Sequence, residues 1–185
     1  MKINQPSIVL VRPQLSENIG LVARAMQNCG LNKLIIVSPR DKWPNSKAIK
    51  AAANANKIIE NAKIYYSLNQ SLSKFHYVIA TSSRKRFLNK PHKTDFSSLF
   101  IDMPINQNIA ILFGPERSGL KNDDLSLCDC LFSVPLSYQN QSLNLSHSVL
   151  IFIYKWQEYF DKLKIKKYNN NNLANKKNIN LFMKF

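Results

Sequence analysis

Glycine is scarce in this chain: 185 residues contain four, Gly20, Gly30, Gly114 and Gly119. Each should therefore mark a backbone position that needs one. Gly30 reads as a helix stop before "LNKLIIV", and the other three read as strand-to-helix loops. "NIG" is expected to open the first helix with Asn18 as its N-cap, and "GPERSG" to follow a strand. The scarcity also excludes two nucleotide sites. No G-x-G-x-x-G follows the first apolar run, which removes the usual dinucleotide fingerprint. "GPERSGLKN" has the frame of a phosphate loop, but Leu120 stands where the lysine belongs and no Ser or Thr follows Lys121, so an NTPase is rejected.

Cysteine is also sparse. Three residues are an odd number, and Cys128 and Cys130 have no second pair or nearby histidine to complete a zinc site. That pattern implies a reduced, cytoplasmic protein without a metal, with Cys29 packing as a small hydrophobe. Long apolar runs are missing. The run near "MKINQPSIVLVRPQ" is too short for a signal peptide, and "SVLIFIY" is too short to span a bilayer. Acidic residues are few: 11 Asp+Glu face 26 Lys+Arg, a formal net charge of +15. Such a field attracts polyanions, of which nucleic acid is the commonest in the cytoplasm. Part of the excess lies in the Lys/Asn-rich end "KLKIKKYNNNNLANKKNINLFMKF", where biased composition is the competing explanation.

The segments that are present alternate. β-Branched runs recur at "SIVLV" (7–11), "KLIIV" (33–37), "YVIA" (77–80), "IAILF" (109–113) and "LFSVP" (131–135). The first four lack polar alternation, as strands buried on both faces do. Helical patterns lie between them at 19–29, over "SKAIKAAANANKIIENA" and over "LKNDDLSLCD". This predicts an α/β fold, a mainly parallel sheet flanked by helices. After residue 143 an apolar helix, capped by Ser142, should close the core. The expected organisation is one domain over 1–164 and a flexible tail over 165–185.

In a parallel sheet, three polar loops emerge on one edge beside "SENIG": "TSSRKR", "GPERSG" and "SYQNQSLN". They supply hydroxyls, amides, one carboxylate and several arginines, but no histidine placed as a general base. His147 reads as a packed residue of the last helix, and His76 and His92 fall away from the loops.

"RPQLSENIGLVARAMQNCGL", "ILFGPERSGL" and "VPLSYQNQSLNLSHSV" resemble, in order and spacing, the three motifs of the SpoU/TrmH-type members of the SPOUT RNA methyltransferases. The wording of the first motif, of "TSSRKR" and of the "SLNL" loop is most similar to the TrmJ branch, which methylates the ribose 2′-oxygen of tRNA nucleotide 32. The resemblance runs from about residue 7 to 157. It implies a C-terminal trefoil knot that binds S-adenosylmethionine, a homodimer, and a tRNA substrate, with rRNA or another tRNA position as the alternative. A noncatalytic RNA-binding factor of the same fold is the competing reading from a different class.

Carried over by the resemblance, Arg24 and Asn18 lie at the reaction centre. The cofactor loops would comprise Thr81, Ser82 and Ser83; Gly114 and Glu116; Val134 and Leu136; and Ser142, Leu143 and Asn144. Glu116 is expected to accept backbone hydrogen bonds in its own loop or to pair with Arg24. Arg12, Arg84, Lys85, Arg86 and Arg117 are the expected phosphate contacts. The branch has an Asn-Pro-Glu loop where this chain has "LSYQNQ", a departure next to the cofactor loops.

Overall fold

The computed structural model describes residues 4–82, 89–136 and 143–165, with side chains to residue 161. Among the described residues, seven strands form one sheet: β1 (Ser7–Val11), β2 (Leu34–Val37), β3 (Lys63–Tyr65), β4 (Tyr77–Thr81), β5 (His92–Lys93), β6 (Ile109–Phe113) and β7 (Cys130–Phe132). Every pairing is parallel, in the order β3-β2-β1-β6-β4-β7-β5. The predicted α/β class is therefore the observed one. β3 and β5 went unpredicted because they are short, polar edge strands whose apolar signal is weak. β7 ends earlier than "LFSVP" suggests; beyond Phe132 the chain leaves the ladder ahead of Pro135, which has no amide to donate.

Among the described residues, seven α-helices cover the faces: α1 (Ser16–Asn28), α2 (Ser46–Ala52), α3 (Asn56–Glu60), α4 (Leu68–Leu72), α5 (Phe96–Asp102), α6 (Asn122–Ser126) and α7 (Leu145–Ile165). Strand alternation feeds two apolar layers. Ile8 and Leu10 point into a core shared with α1, α2, α3, α5 and α7, whereas Val9 and Val11 point into a smaller one under α4 and α6. The larger core ends in an aromatic cluster in which Phe152 meets Phe132 edge-on at 5.6 Å and Phe100 meets Trp156 at 5.7 Å.

Two glycines carry structural roles that the sequence pattern misassigns or confirms. Gly20 lies inside α1 rather than in a loop, because α2 crosses there: a Cβ on it would sit 2.2 Å from the Ala48 carbonyl oxygen. Gly30 has φ +69 and ends α1 as expected; its amide reaches the Gln27 carbonyl while Leu31 reaches Met26, the paired bonds of a Schellman turn. The continuous helix expected over 46–62 is instead broken at Ala53, with φ +50, into α2, a 3-10 turn and α3. Asn54 and Asn56 weaken the helix at that point.

Strand order decides where a ligand can sit. From β1 the chain runs outward to β2 and β3, then crosses to β4 on the far side of β6. The order reverses between β1 and β6, so the loops that leave their carboxyl ends face one crevice. The interleaving β6-β4-β7-β5 is compatible with the expected knotted C-terminal half; residues 83–88 and 137–142 lie outside the described residues.

Candidate active site

The three sequence motifs meet at this crevice through the side chain of Asn18, which touches Glu116 of the second and Asn144 of the third. Glu116, in the loop after β6, accepts hydrogen bonds from the Gln14 amide at 2.8 Å and the Leu15 amide at 3.2 Å in the loop after β1. Its Oε1 also accepts from Asn18 Nδ2 at 2.8 Å. Asn18 Oδ1 in turn accepts from Asn144 Nδ2 at 3.0 Å, ahead of α7. Asn144 Oδ1 accepts from both the amide and the hydroxyl of Ser146, at 2.8 and 2.7 Å.

This network corrects two expected caps. Asn18 is not the N-cap of α1; Leu15 occupies that position without a capping side chain, and Asn18 sits buried in the first turn. The carboxylate of Glu116 caps from another segment, placing an anion where the helix dipole favours one. The α7 cap is Asn144, whereas Ser142 falls outside the described residues. A second acid supports the start of α1: Asp41 accepts from the Ser16 hydroxyl at 2.7 Å, and this bond is the main reason its carboxyl is held below the usual range.

Glu116→Gln replaces an acceptor of three donors by a group that is half donor. With charged hydrogen bonds contributing about 1.5–3 kcal/mol each, a loss of about 2–3 kcal/mol is expected, read as a lowered urea midpoint at unchanged slope. A midpoint equal to the parent's would show that the carboxylate is not holding the motifs together.

The remaining expected cofactor residues lie at the strand ends. Thr81 donates its hydroxyl to the Leu112 carbonyl at 2.8 Å, and the Ser82 amide donates to Phe132 at 2.9 Å. Both groups therefore tie β4 to its neighbours. Gly114 is required sterically, since a Cβ would lie 2.4 Å from the Leu120 amide nitrogen where the loop folds back. Val134, Leu136 and Leu143 are half-buried. Among the described residues their peptide groups make no hydrogen bond. Unpaired amides and carbonyls beside apolar side chains are the donor set that an adenine ring and an amino-acid group need. Ser83, Arg84, Lys85 and Arg86 lie outside the described residues.

Arg24 stands apart from the network on the exposed side of α1, its side chain making no ion pair or hydrogen bond among the described residues. Glu116, its expected partner, holds Asn18 instead, and Glu17 in the first turn of α1 pairs with Lys47 at 3.6 Å. Arg117 is likewise exposed. Arg12 has a protein partner rather than an open fork. It grips both carboxylate oxygens of Asp124, Nη1 to Oδ1 at 3.1 Å and Nη2 to Oδ2, and Asp124 is buried. Asp124 also accepts from the Lys121 amide at 2.7 Å, so the pair fastens the loop after β1 to the start of α6.

The model of the SpoU rRNA methylase family matches residues 5–154. The chain belongs to the SpoU rRNA methylase family. Within this family it is 35% identical over 152 residues to a tRNA (cytidine-2′-O-)-methyltransferase TrmJ of Methanocaldococcus jannaschii, covering 80% of this chain and 66% of the relative. It is 39% identical over 150 residues to the tRNA (cytidine/uridine-2′-O-)-methyltransferase TrmJ of Pectobacterium atrosepticum, covering 80% and 62%. The crystal structure of TrmJ from Z. mobilis ZM4 superposes with a TM-score of 0.80 at 36% identity, covering 94% of this chain and 74% of that one. The chain thus spans less than two thirds of the length of these curated relatives.

Against the SpoU methylase motifs, the sequence reading missed Asp124 and Asp41. Asp124 had a usable signal, an acid three residues after Lys121 at capping-box spacing. Asp41 had none, since its contact with Ser16 depends on how the loop after β2 turns. His147 is exposed rather than packed, and His92 Nε2 lies 2.8 Å from the Ser133 hydroxyl, nearer the strand ends than its sequence position suggested. All three cysteines are buried, and burial raises their thiol pKa values, that of Cys128 to about 12. They are poor nucleophiles. Among the described residues no helix is long and apolar enough to cross a membrane, and no three His, Cys, Asp or Glu gather as metal ligands.

Proposed function

We propose that this chain is an S-adenosylmethionine-dependent RNA ribose 2′-O-methyltransferase acting in the cytoplasm on tRNA, at cytidine or uridine of nucleotide 32. The observation that carries this reading is the Glu116–Asn18–Asn144 chain, which draws three family motifs to one sheet edge beside unpaired peptide groups. The TrmJ relatives, at 35–39% identity, support the substrate class.

The bound cofactor supplies an electrophilic methyl group. Val134, Leu136 and Leu143 would flank its adenine, with nearby peptide groups reading the polar edges. Arg24 would clamp the phosphate next to the target ribose and stabilise the developing alkoxide, since a guanidinium stays protonated in proteins and makes a poor base. Glu116, Asn18 and Asn144 would hold this edge in shape without moving a proton. Arg117 is a candidate phosphate contact at the rim; the ion pair of Arg12 makes it a structural group first.

A homodimer accords with the apolar surface of two adjoining helices. Leu15 at the start of α1 and Leu21 within it are 46% and 40% exposed, and Leu150 and Tyr154 of α7 are 40% and 56% exposed. Covering them would bring a second copy close to the exposed Arg24. We also infer the knotted threading of the C-terminal half and the domain limit near residue 164; the expected tail lies outside the described residues.

The test is transfer of labelled methyl from S-adenosylmethionine to total tRNA and, separately, to rRNA, followed by nucleoside analysis. A 2′-O-methylated cytidine or uridine in tRNA is expected. Product in rRNA alone would move the substrate, and no transfer by a protein that binds the cofactor would return the noncatalytic reading.

A further inference from the structure

At the opposite end of the sheet, a cleft of about 310 Å³ opens at the amino ends of β1, β2, β3 and β6. Its rim carries Lys33, Lys63 and Lys74, all exposed, and no carboxylate lines it. Lys33 makes one long contact, Nζ to the Gln5 carbonyl at 3.4 Å, while the ammonium groups of Lys63 and Lys74 have no partner among the described residues. Three cations in one concavity without a counter-charge repel one another, and an anion would relieve that.

The inner wall has a different character. Tyr65 and Phe75 are half-buried in it, offering ring surface at the edge of the smaller core. Ser7 is only 6% exposed and lines the same cleft, on the β1 face that also carries Val9 and Val11. Among the described residues its hydroxyl has no hydrogen-bond partner. A buried hydroxyl left unpaired is costly, so a polar ligand group there would satisfy it. Aromatic surface inside, one unsatisfied buried hydroxyl and a cationic rim together match a nucleoside phosphate.

We propose that this cleft is a second nucleotide site, taking an unpaired nucleotide of the RNA substrate with its base against Tyr65 and Phe75 and its phosphate among the three lysines. The inference rests on the RNA-methylating role proposed above. A five-residue strand is about 16 Å long, so the two sheet ends are separate contacts that one folded RNA can span.

The test compares the full chain with its Lys33→Gln, Lys63→Gln, Lys74→Gln triple variant, and with a triple Lys→Arg variant that keeps the charge. Binding is measured for tRNA over a salt series and for the four nucleoside monophosphates, alongside S-adenosylmethionine binding. The Gln variant should bind tRNA about tenfold or more weakly. Its salt dependence should be shallower by about 0.7 in log–log slope for each phosphate that is no longer neutralised, with cofactor binding unchanged and the Arg variant close to the parent. Weaker monophosphate binding together with weaker tRNA binding supports the proposal, as does weaker tRNA binding alone. Weaker monophosphate binding with unchanged tRNA affinity would make the ligand a free nucleotide and overturn the RNA assignment. Unchanged affinity for both would overturn the site. A parent that binds no S-adenosylmethionine yet shows these lysine effects would sink the catalytic reading and leave the cleft standing.

Discussion

Arg24→Ala is expected to lower methyl transfer by about 10²–10³-fold while leaving the fold intact, the magnitude seen when one group stabilising a developing oxyanion is removed. The separation of the two effects follows from where Arg24 sits. It is exposed on α1 and has no partner among the described residues, so its truncation empties no cavity and breaks no ion pair. Surface changes of that kind shift stability by about 0.5 kcal/mol at most. Turnover and urea unfolding measured on one preparation would therefore diverge. Arg24→Lys refines the result, because a lysine keeps the charge and loses the fork. Measurable turnover in that variant fits an electrostatic role. Complete loss with cofactor binding intact would count against it, as would an Arg24→Ala protein that is inactive because it unfolds.

Gly20→Val should be the most destabilising single substitution in α1, by about 3 kcal/mol. Any Cβ at this position meets backbone: the Ala48 carbonyl oxygen at 2.2 Å and the Ala52 nitrogen at 2.8 Å, as well as Ala51 Cβ at 2.7 Å. Backbone cannot rotate aside as a side chain can, so α1 and α2 must separate. Replacing a helical glycine by alanine ordinarily gains about 1 kcal/mol of propensity and by β-branched valine less, and the clash outweighs it. For a chain of this size the loss corresponds to about 6–12 °C in Tm. A valine variant that melts with the parent would mean that the two helices do not approach so closely. Because α1 also carries Asn18 and Arg24, the same substitution should reduce methyl transfer through misplacement rather than chemistry.

The sheet was largely legible because its strands declare themselves. "SIVLV" and "IAILF" became β1 and β6 residue for residue, since a strand buried on both faces needs an unbroken apolar run. The end of α1 at Gly30 was legible for a similar reason, a local φ requirement that one residue type meets cheaply. The motif resemblance also picked out Asn18, Glu116 and Asn144, which the fold does bring together.

What those residues do could not be read from the chain alone. Asn18 looks like a helix cap because local sequence knows only neighbours, whereas the acceptor of its side-chain amide is Glu116, 98 positions away. Arg12 looks like a free phosphate contact until Asp124, 112 positions on, occupies its fork. Gly20 looks like a loop glycine until α2 crosses α1. Amino-acid order determined the parallel α/β architecture, the helix stop at Gly30 and the family, because apolar periodicity, φ preference and motif spacing are local or ordered properties. Tertiary structure alone decided which groups are engaged and which are left available, because hydrogen bonds, ion pairs and close backbone approaches form between segments far apart in the chain.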